Sequence, residues 1–252
     1  METGRAGRAS AAGDEGWGSG VRRVDGTRGR LTRERVVAAA LAVVDRDGLD
    51  GLTMRMLGHL LGVDPMAVYH WFPNKLAILQ GVVEAILAEI PADAEATGPW
   101  QDWVRVVARE YRRVLLAHPN ALPIVSTQPV LTPAGLRVVE VACRPLVAAG
   151  FRPTEALALV NDVAALVIGS VLVQAGVTPG TEPVTDEQVR GAYGSLDGSA
   201  FPLVARAIRE AGPDDFDSEQ QFENLLDTFV RGLDLQRPGG PGTVAAPPAT
   251  RA

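Results

Sequence analysis

Four side chains in the first third of the sequence are of the types that bind phosphate. Thr53 and Arg55 fall at the predicted N-terminus of one short helix, while Tyr69 and Lys75 fall near the end of the next helix and just beyond it. Hydroxyl, guanidinium and ammonium groups commonly donate to nucleic-acid phosphates. The free N–H groups and the dipole at a helix N-terminus also favour an anion. These residues therefore predict contact with a nucleic-acid backbone.

The sequence lacks the residue patterns that support catalysis or metal binding. It has one cysteine, Cys143, and three widely separated histidines, His59, His70 and His118. This set builds neither an internal disulfide framework nor a cysteine-rich zinc site. No P-loop, Gly-x-Ser-x-Gly or His-Glu-x-x-His motif occurs. We therefore expect no catalytic residue, no metal and no cofactor, with an enzyme or carrier that uses a helical pocket as an alternative.

Charge is distributed unevenly along the 252 residues, whose net charge is −6. Residues 1–80 carry eleven basic and nine acidic side chains, whereas the remainder carries thirteen and twenty-one. Six arginines lie between Val21 and Arg35. A basic end on an acidic body is typical of a protein that meets an anion at one end only. The alternative is a solvated, disordered tail.

Helical periodicity dominates the sequence between its two low-complexity ends, so we expect an all-α fold. Thr32 can cap a first helix that ends at Gly48, and Thr53 can cap a second. Asp64 precedes a short third helix from Pro65 to Trp71, after the turn at Gly62. A fourth helix follows Asn74. Two short helices joined by a tight turn form a helix-turn-helix, whose second helix enters the major groove.

Residues Leu31–Leu79 resemble the DNA-binding domain of the TetR family, and they read LTRERVVAAALAVVDRDGLDGLTMRMLGHLLGVDPMAVYHWFPNKLAIL. The resemblance rests on the Leu61–Val63 turn, the Tyr69–Phe72 block and the Asn74-Lys75 pair. It implies that Arg55 contacts a base or phosphate, that Tyr69 and Trp71 touch phosphate or the groove edge, and that Lys75 anchors the backbone. The full implied DNA-binding set is Thr53, Arg55, Pro65, Met66, Ala67, Tyr69, His70, Trp71 and Lys75.

Two positions of the implied base-reading surface depart from the family. Members often carry Lys or Gln where Pro65 stands and Thr where Ala67 stands. With apolar residues there, contact with thymine methyl groups becomes the expected mode of readout. For His70, Trp71 and Tyr69 the alternative is a structural or solvent-facing role without DNA contact.

Residues 100–236 read as five or six helices. The expected helices run from Trp100 to Leu116, from Gly135 to Ala149, from Thr154 to Ala175 and from Phe222 to Leu235, with one short helix between Leu122 and Pro133. Pro179 to Ser199 is expected to be a long mobile connection. The last two of the long helices are apolar enough to pair with their copies in a four-helix dimer interface.

Four blocks of this part resemble the C-terminal domain of the tetracycline repressors: Trp100–Trp103, Leu115–His118, Gly150-Phe151 and Phe201–Leu203. In that group a drug–magnesium complex binds through a histidine and a glutamate. The corresponding positions fall near Val125 and Val173, which cannot bind a hard cation. We therefore expect an apolar pocket in which Asn161 orients the ligand, unless its members are simply core; the candidates are Trp103, Val107, Tyr111, Leu131, Leu136, Asn161, Ile168 and Val171.

These features predict a ligand-responsive transcriptional regulator, most simply a repressor, that binds a palindromic DNA operator as a homodimer and is released by a small, mostly apolar effector. The alternative is a helical dimer that acts without operator binding. The expected organisation is a disordered basic arm in 1–28, a helix-turn-helix domain in 29–90, a ligand-binding and dimerisation domain in 91–236, and a disordered tail in 237–252. The sequence has no run of about 18 apolar residues, and residues 1–20 lack the apolar segment of a signal peptide. We therefore expect a cytoplasmic protein with no membrane partner.

Overall fold

A computed structural model describes residues 30–91, 98–175, 185–211 and 217–236. The described residues are helical and contain no strand, which confirms the all-α prediction. The expected arm in 1–28 and tail in 237–252 lie outside them. The helices are α1 (Arg33–Gly51), α2 (Met54–Leu61), α3 (Pro65–Trp71), α4 (Lys75–Ala88), α5 (Trp100–Ala117), α6 (Leu122–Val125), α7 (Pro133–Ala148), α8 (Pro153–Ala175), α9 (Asp186–Gly194), α10 (Pro202–Glu210) and α11 (Ser218–Gln236).

Side-chain caps start the first four helices at the predicted residues. The Thr32 hydroxyl accepts from the Arg35 amide at 3.3 Å, and the Thr53 hydroxyl accepts from Met56 at 3.1 Å. The Asp64 carboxylate accepts from the amide of Met66 at 2.8 Å. Asn74 caps α4 in the same way. Each cap satisfies an amide that the helix itself leaves unpaired, so the helix boundaries follow from local sequence.

Two glycines of this region adopt positive φ where the helical geometry is interrupted or ends. Gly62 ends α2 in the left-handed conformation at φ 67° and makes the tight turn into α3. Gly48 has φ 71° and non-helical geometry, so it interrupts α1 at the position where the helix was expected to end. A further helical turn after this kink carries α1 to Gly51.

One hydrophobic core extends from α1 to α11. Val36, Val44 and Phe72 are buried in the N-terminal helices, and Leu146 and Phe222 are buried in the C-terminal ones. The α5 helix packs on α8 and α11, while α4 packs on both α5 and α7. A 3₁₀ turn at Pro119–Ala121 packs against α1. The helix-turn-helix is therefore joined to the larger helical part by side-chain packing.

Two features of the C-terminal part differ from expectation. The segment expected to be a mobile connection contains α9, Asp186–Gly194. In addition, α8 is long and apolar enough, by length and composition alone, to cross a membrane. Asn161 and Asp162 interrupt its apolar sequence. Five of its residues, including Val163 and Val167, are buried in the core. A core helix of a soluble protein passes the same test.

Candidate DNA-binding and ligand-binding sites

The α3 helix presents one face to the core and the other to solvent. Val68 and the capping residue Phe72 are fully buried. Met66 is 71% exposed, and Tyr69, His70 and Trp71 are exposed on the same outer side. The predicted residues Pro65 and Ala67 are half-buried. The short helix thus carries a surface of aromatic and apolar side chains that is free to meet another molecule.

The predicted phosphate donors outside α3 lie at the starts of α2 and α4. Thr53 and Arg55 lie exposed at the first turn of α2. The Lys75 ammonium, at the first residue of α4, donates to the Leu49 carbonyl at 2.6 Å. Sequence reasoning missed this contact, since nothing local indicates it. An ammonium has three donors, so the bond to Leu49 leaves two for a phosphate.

His70 and Trp71 contact each other edge to face, with ring centroids 6.0 Å apart. Behind them, the Arg33 guanidinium lies 4.6 Å from the centre of the Phe72 ring. Arg33 also lies 3.7 Å from the Glu84 carboxylate of α4. These contacts join α1, α3 and α4, so the outer face of α3 is supported by a packed base.

A cavity of about 480 Å³ lies among α4, α5, α6, α7 and α8. Such a volume is typical of sites for drug-sized molecules. Seven of the eight predicted pocket residues line it: Trp103, Val107, Tyr111, Leu131, Leu136, Asn161 and Ile168. Val171 does not. It lies one turn beyond Ile168 on α8 and is fully buried in the core. Whether the seven bind a ligand stays a prediction.

The cavity wall is almost entirely apolar. Within the described part of the chain, no charged side chain lines it. The polar side-chain groups in the wall belong to Trp103, Tyr111, Gln128 and Asn161. The sequence analysis did not predict Gln128, because it lies in the irregular segment after α6. Tyr111 is 7% exposed, and this burial raises the pKa of its hydroxyl. The cavity therefore suits an uncharged molecule.

The residues present do not fit a magnesium-bound effector. Val125 lines the cavity and is buried, whereas Val173 is 85% exposed and does not line it. Neither side chain has an oxygen or nitrogen donor. Across the described ranges, no group of three His, Cys, Asp or Glu residues is placed to hold a metal ion.

A cluster of polar side chains connects the segment after α5 with α1 and with the end of α4. His118 Nδ1 lies 2.9 Å from Asp45 Oδ1 of α1, and His118 Nε2 lies 3.3 Å from Glu89 Oε2 at the end of α4. The Asn120 amide donates to the Asp45 carbonyl at 2.8 Å. Both ring nitrogens of His118 therefore face carboxylates.

Both parts of the sequence match known family models. Residues 36–82 match the model of bacterial regulatory proteins of the tetR family, and residues 91–237 match that of the tetracyclin repressor-like C-terminal domain. The chain belongs to the TetR family. Members are DNA-binding transcriptional repressors with ligand-binding C-terminal domains. Neither match indicates a catalytic family.

Individual relatives agree with this assignment. A TetR-family tetracycline repressor, class A from transposon 1721 in Escherichia coli, is 32% identical over 215 residues, which cover 82% of this chain and 93% of the repressor. An HTH-type transcriptional regulator of Saccharopolyspora erythraea is 35% identical over 145 residues, covering 58% of this chain and 61% of that one. The TetR family protein ActR of Streptomyces coelicolor, in complex with actinorhodin, is similar with a TM-score of 0.69 at 29% identity, covering 81% of this chain and 97% of ActR.

Proposed function

We propose that this protein is a ligand-responsive repressor that binds a palindromic operator as a homodimer and is released by a small, uncharged, mostly apolar effector. The observation that carries the proposal is the position of α4. This helix begins at Lys75, four residues after the last residue of α3, and its later turns line the cavity with Val83 and Leu87. One helix thus runs from the end of the helix-turn-helix to the candidate ligand site.

Ligand and DNA would compete through this helix. A ligand shifts the protein toward whichever conformation gives it more contact. If filling the cavity displaces Leu87 and Ile90, α4 moves and takes α3 with it. The coupling is reciprocal, so bound operator must weaken the ligand to the same extent. Similarity to ActR, which is in complex with actinorhodin, supports an organic effector. Ligand-binding C-terminal domains in the family support its location in the cavity.

The proposed homodimer would use α8 and α11. Leu157 and Leu172 of α8 and Leu225 of α11 are exposed in the single chain, at 45%, 36% and 48%. Two apolar helices that pair with their copies form a four-helix bundle. A two-fold dimer would place two α3 helices about one turn of DNA apart, which is the geometry that reads a palindrome.

The proposed organisation keeps the helix-turn-helix domain in 29–90 and the effector and dimerisation domain in 91–236, flanked by the arm and the tail. We place the protein in the cytoplasm, with operator DNA and an effector as partners, without a membrane partner and without catalytic activity. A second candidate, a helical dimer that acts without operator binding, would keep the cavity but leave the α3 face unused.

Fluorescence anisotropy with DNA from upstream of the protein's own gene tests the proposal. The full chain is titrated at two salt concentrations, with unlabelled competitor DNA of unrelated sequence as control. Saturable binding of a dimer that resists competitor supports the repressor. If competitor DNA or moderate salt abolishes binding, both on this DNA and on a library of random duplexes, the second candidate is favoured.

A further inference from the structure

Tyr111 is the buried polar group of the cavity wall. Its side chain is 7% exposed, and the same cavity wall contains Val104 and Val107 of α5 and Ile168 of α8. The hydroxyl makes no hydrogen bond to any residue in the described parts of the chain. Tyrosine hydroxyls in such places usually bind a polar partner. This hydroxyl is not among the fully enclosed side-chain atoms that lack a partner, so it remains accessible from the cavity. The wall therefore holds a donor that a ligand can satisfy.

The hydroxyl acts as a donor at any physiological pH. Burial raises the pKa of Tyr111, since the apolar wall disfavours the phenolate. A phenol O–H prefers an oxygen acceptor such as a carbonyl. A charged group on the ligand would be disfavoured, because none of the described side chains that line the cavity carries an opposite charge.

We propose that Tyr111 selects the effector by donating a hydrogen bond to a carbonyl-type oxygen on an otherwise apolar, uncharged ring system. The inference rests on the proposed function, because it takes the cavity to be the effector site. Trp103 is half-buried and lines the same cavity about two helical turns before Tyr111 on α5. Its indole offers an aromatic surface for such rings. Gln128 and Asn161 supply further amide groups at the border of the cavity, so a second polar substituent is accommodated there.

Three small probes separate the contributions of shape, acceptor and charge. Fluorene is a planar hydrocarbon, fluorenone adds one carbonyl to the same skeleton, and a fluorenone carboxylate adds a charge. Each is titrated into the full-length protein by calorimetry. We expect fluorenone to bind about tenfold more tightly than fluorene, which corresponds to one net hydrogen bond. The carboxylate should bind more weakly than fluorenone.

Tyr111→Phe removes the donor and keeps the ring. This variant should bind fluorene as the wild type does, and should lose the tenfold preference for fluorenone. The infrared carbonyl stretch of bound fluorenone should lie at lower frequency in the wild type than in the variant, which a merely structural role would not produce. Ser195→Ala removes a hydroxyl at an exposed position after α9, away from the cavity lining, and should leave all three affinities unaltered.

The outcomes distinguish this inference from the proposed function. If fluorene binds but fluorenone binds no better, or if the preference survives in Tyr111→Phe, the role assigned to Tyr111 is overturned while the apolar effector cavity stands. If neither fluorene nor fluorenone binds, the apolar effector cavity itself is overturned, and the inference fails with it.

Discussion

His118 Nδ1 lies 2.9 Å from Asp45 Oδ1, and this contact joins the end of α5 to the middle of α1. The second ring nitrogen faces Glu89 at the end of α4. Because carboxylates only accept, both nitrogens donate when the imidazole is protonated. Burial lowers the pKa of His118, but the hydrogen bonds to Asp45 and Glu89 raise it by more, so the net shift is upward.

A raised pKa gives this contact a defined dependence on pH. Its contribution to stability is complete below the unfolded-state value of about 6.5 and is lost as pH rises through the higher folded-state value. Between about pH 6 and about pH 9, the free energy of unfolding should fall in the wild type by up to about 1 kcal/mol more than in His118→Gln. Urea denaturation measures this. His59→Gln, at an exposed site on α2, should follow the wild type; a His118→Gln profile parallel to the wild type would contradict the assignment.

Lys75→Ala should weaken operator binding without unfolding the protein. The ammonium keeps two donors for phosphate beside its bond to Leu49, so its loss should lower the slope of log affinity against log salt by about one. Arg55→Ala should weaken binding as well. Anisotropy at several salt concentrations measures both, with Arg137→Ala on α7 as the control. Wild-type affinity in both variants would show that α2 and α4 do not contact DNA as proposed.

Met66 should read thymine methyl groups. It is 71% exposed at the start of α3, where neighbouring Pro65 and Ala67 offer no side-chain hydrogen bonds to bases. Replacing thymine by uracil in the operator removes the methyl groups and should cost the wild type about 1 kcal/mol at a contacted position. Met66→Ala should be weaker on the normal operator and less sensitive to uracil. Equal sensitivity in both proteins argues for readout by other residues.

Leu225→Glu should dissociate the proposed dimer. A carboxylate at this exposed position of α11 would be buried without a partner when two copies pair, and we expect the dimer dissociation constant to rise by more than about tenfold. Sedimentation velocity follows the change. Val106→Glu makes a comparable substitution at an exposed position of α5 and should leave the dimer intact. A dimer unaffected by Leu225→Glu would mean that α11 lies outside the interface.

Arg112→Ala should destabilise the fold more than any exposed arginine. Arg112 is 5% exposed, forms an ion pair with Glu219, and donates to Gln174 at 2.6 Å. Its guanidinium also lies 4.8 Å from the centre of the Phe222 ring. Losing these contacts and the buried stem should cost about 2 kcal/mol in thermal or urea unfolding. Arg113→Ala, on the exposed side of α5, should cost less than about 0.5 kcal/mol; equal losses would contradict the role given to Arg112.

The sequence by itself determined the local structure of the DNA-binding part. Thr32, Thr53, Asp64 and Asn74 each accept from an amide two or three residues away, so their helix starts could be predicted. The spacing of Val68 and Phe72 likewise determined which face of α3 is outward. These features depend on neighbours along the chain, which a sequence displays directly.

Only the tertiary structure decided which distant groups meet. Lys75 and Leu49 are separated by 26 positions, and His118 and Asp45 by 73. The tertiary structure also decided the place of Val171, because an apolar side chain suits a cavity wall and a closed core equally well. The packing of α8 turns Ile168 toward the cavity and buries Val171 in the core. Periodicity assigns a residue to the apolar side of a helix, but the angle and depth at which helices pack decide what that side touches.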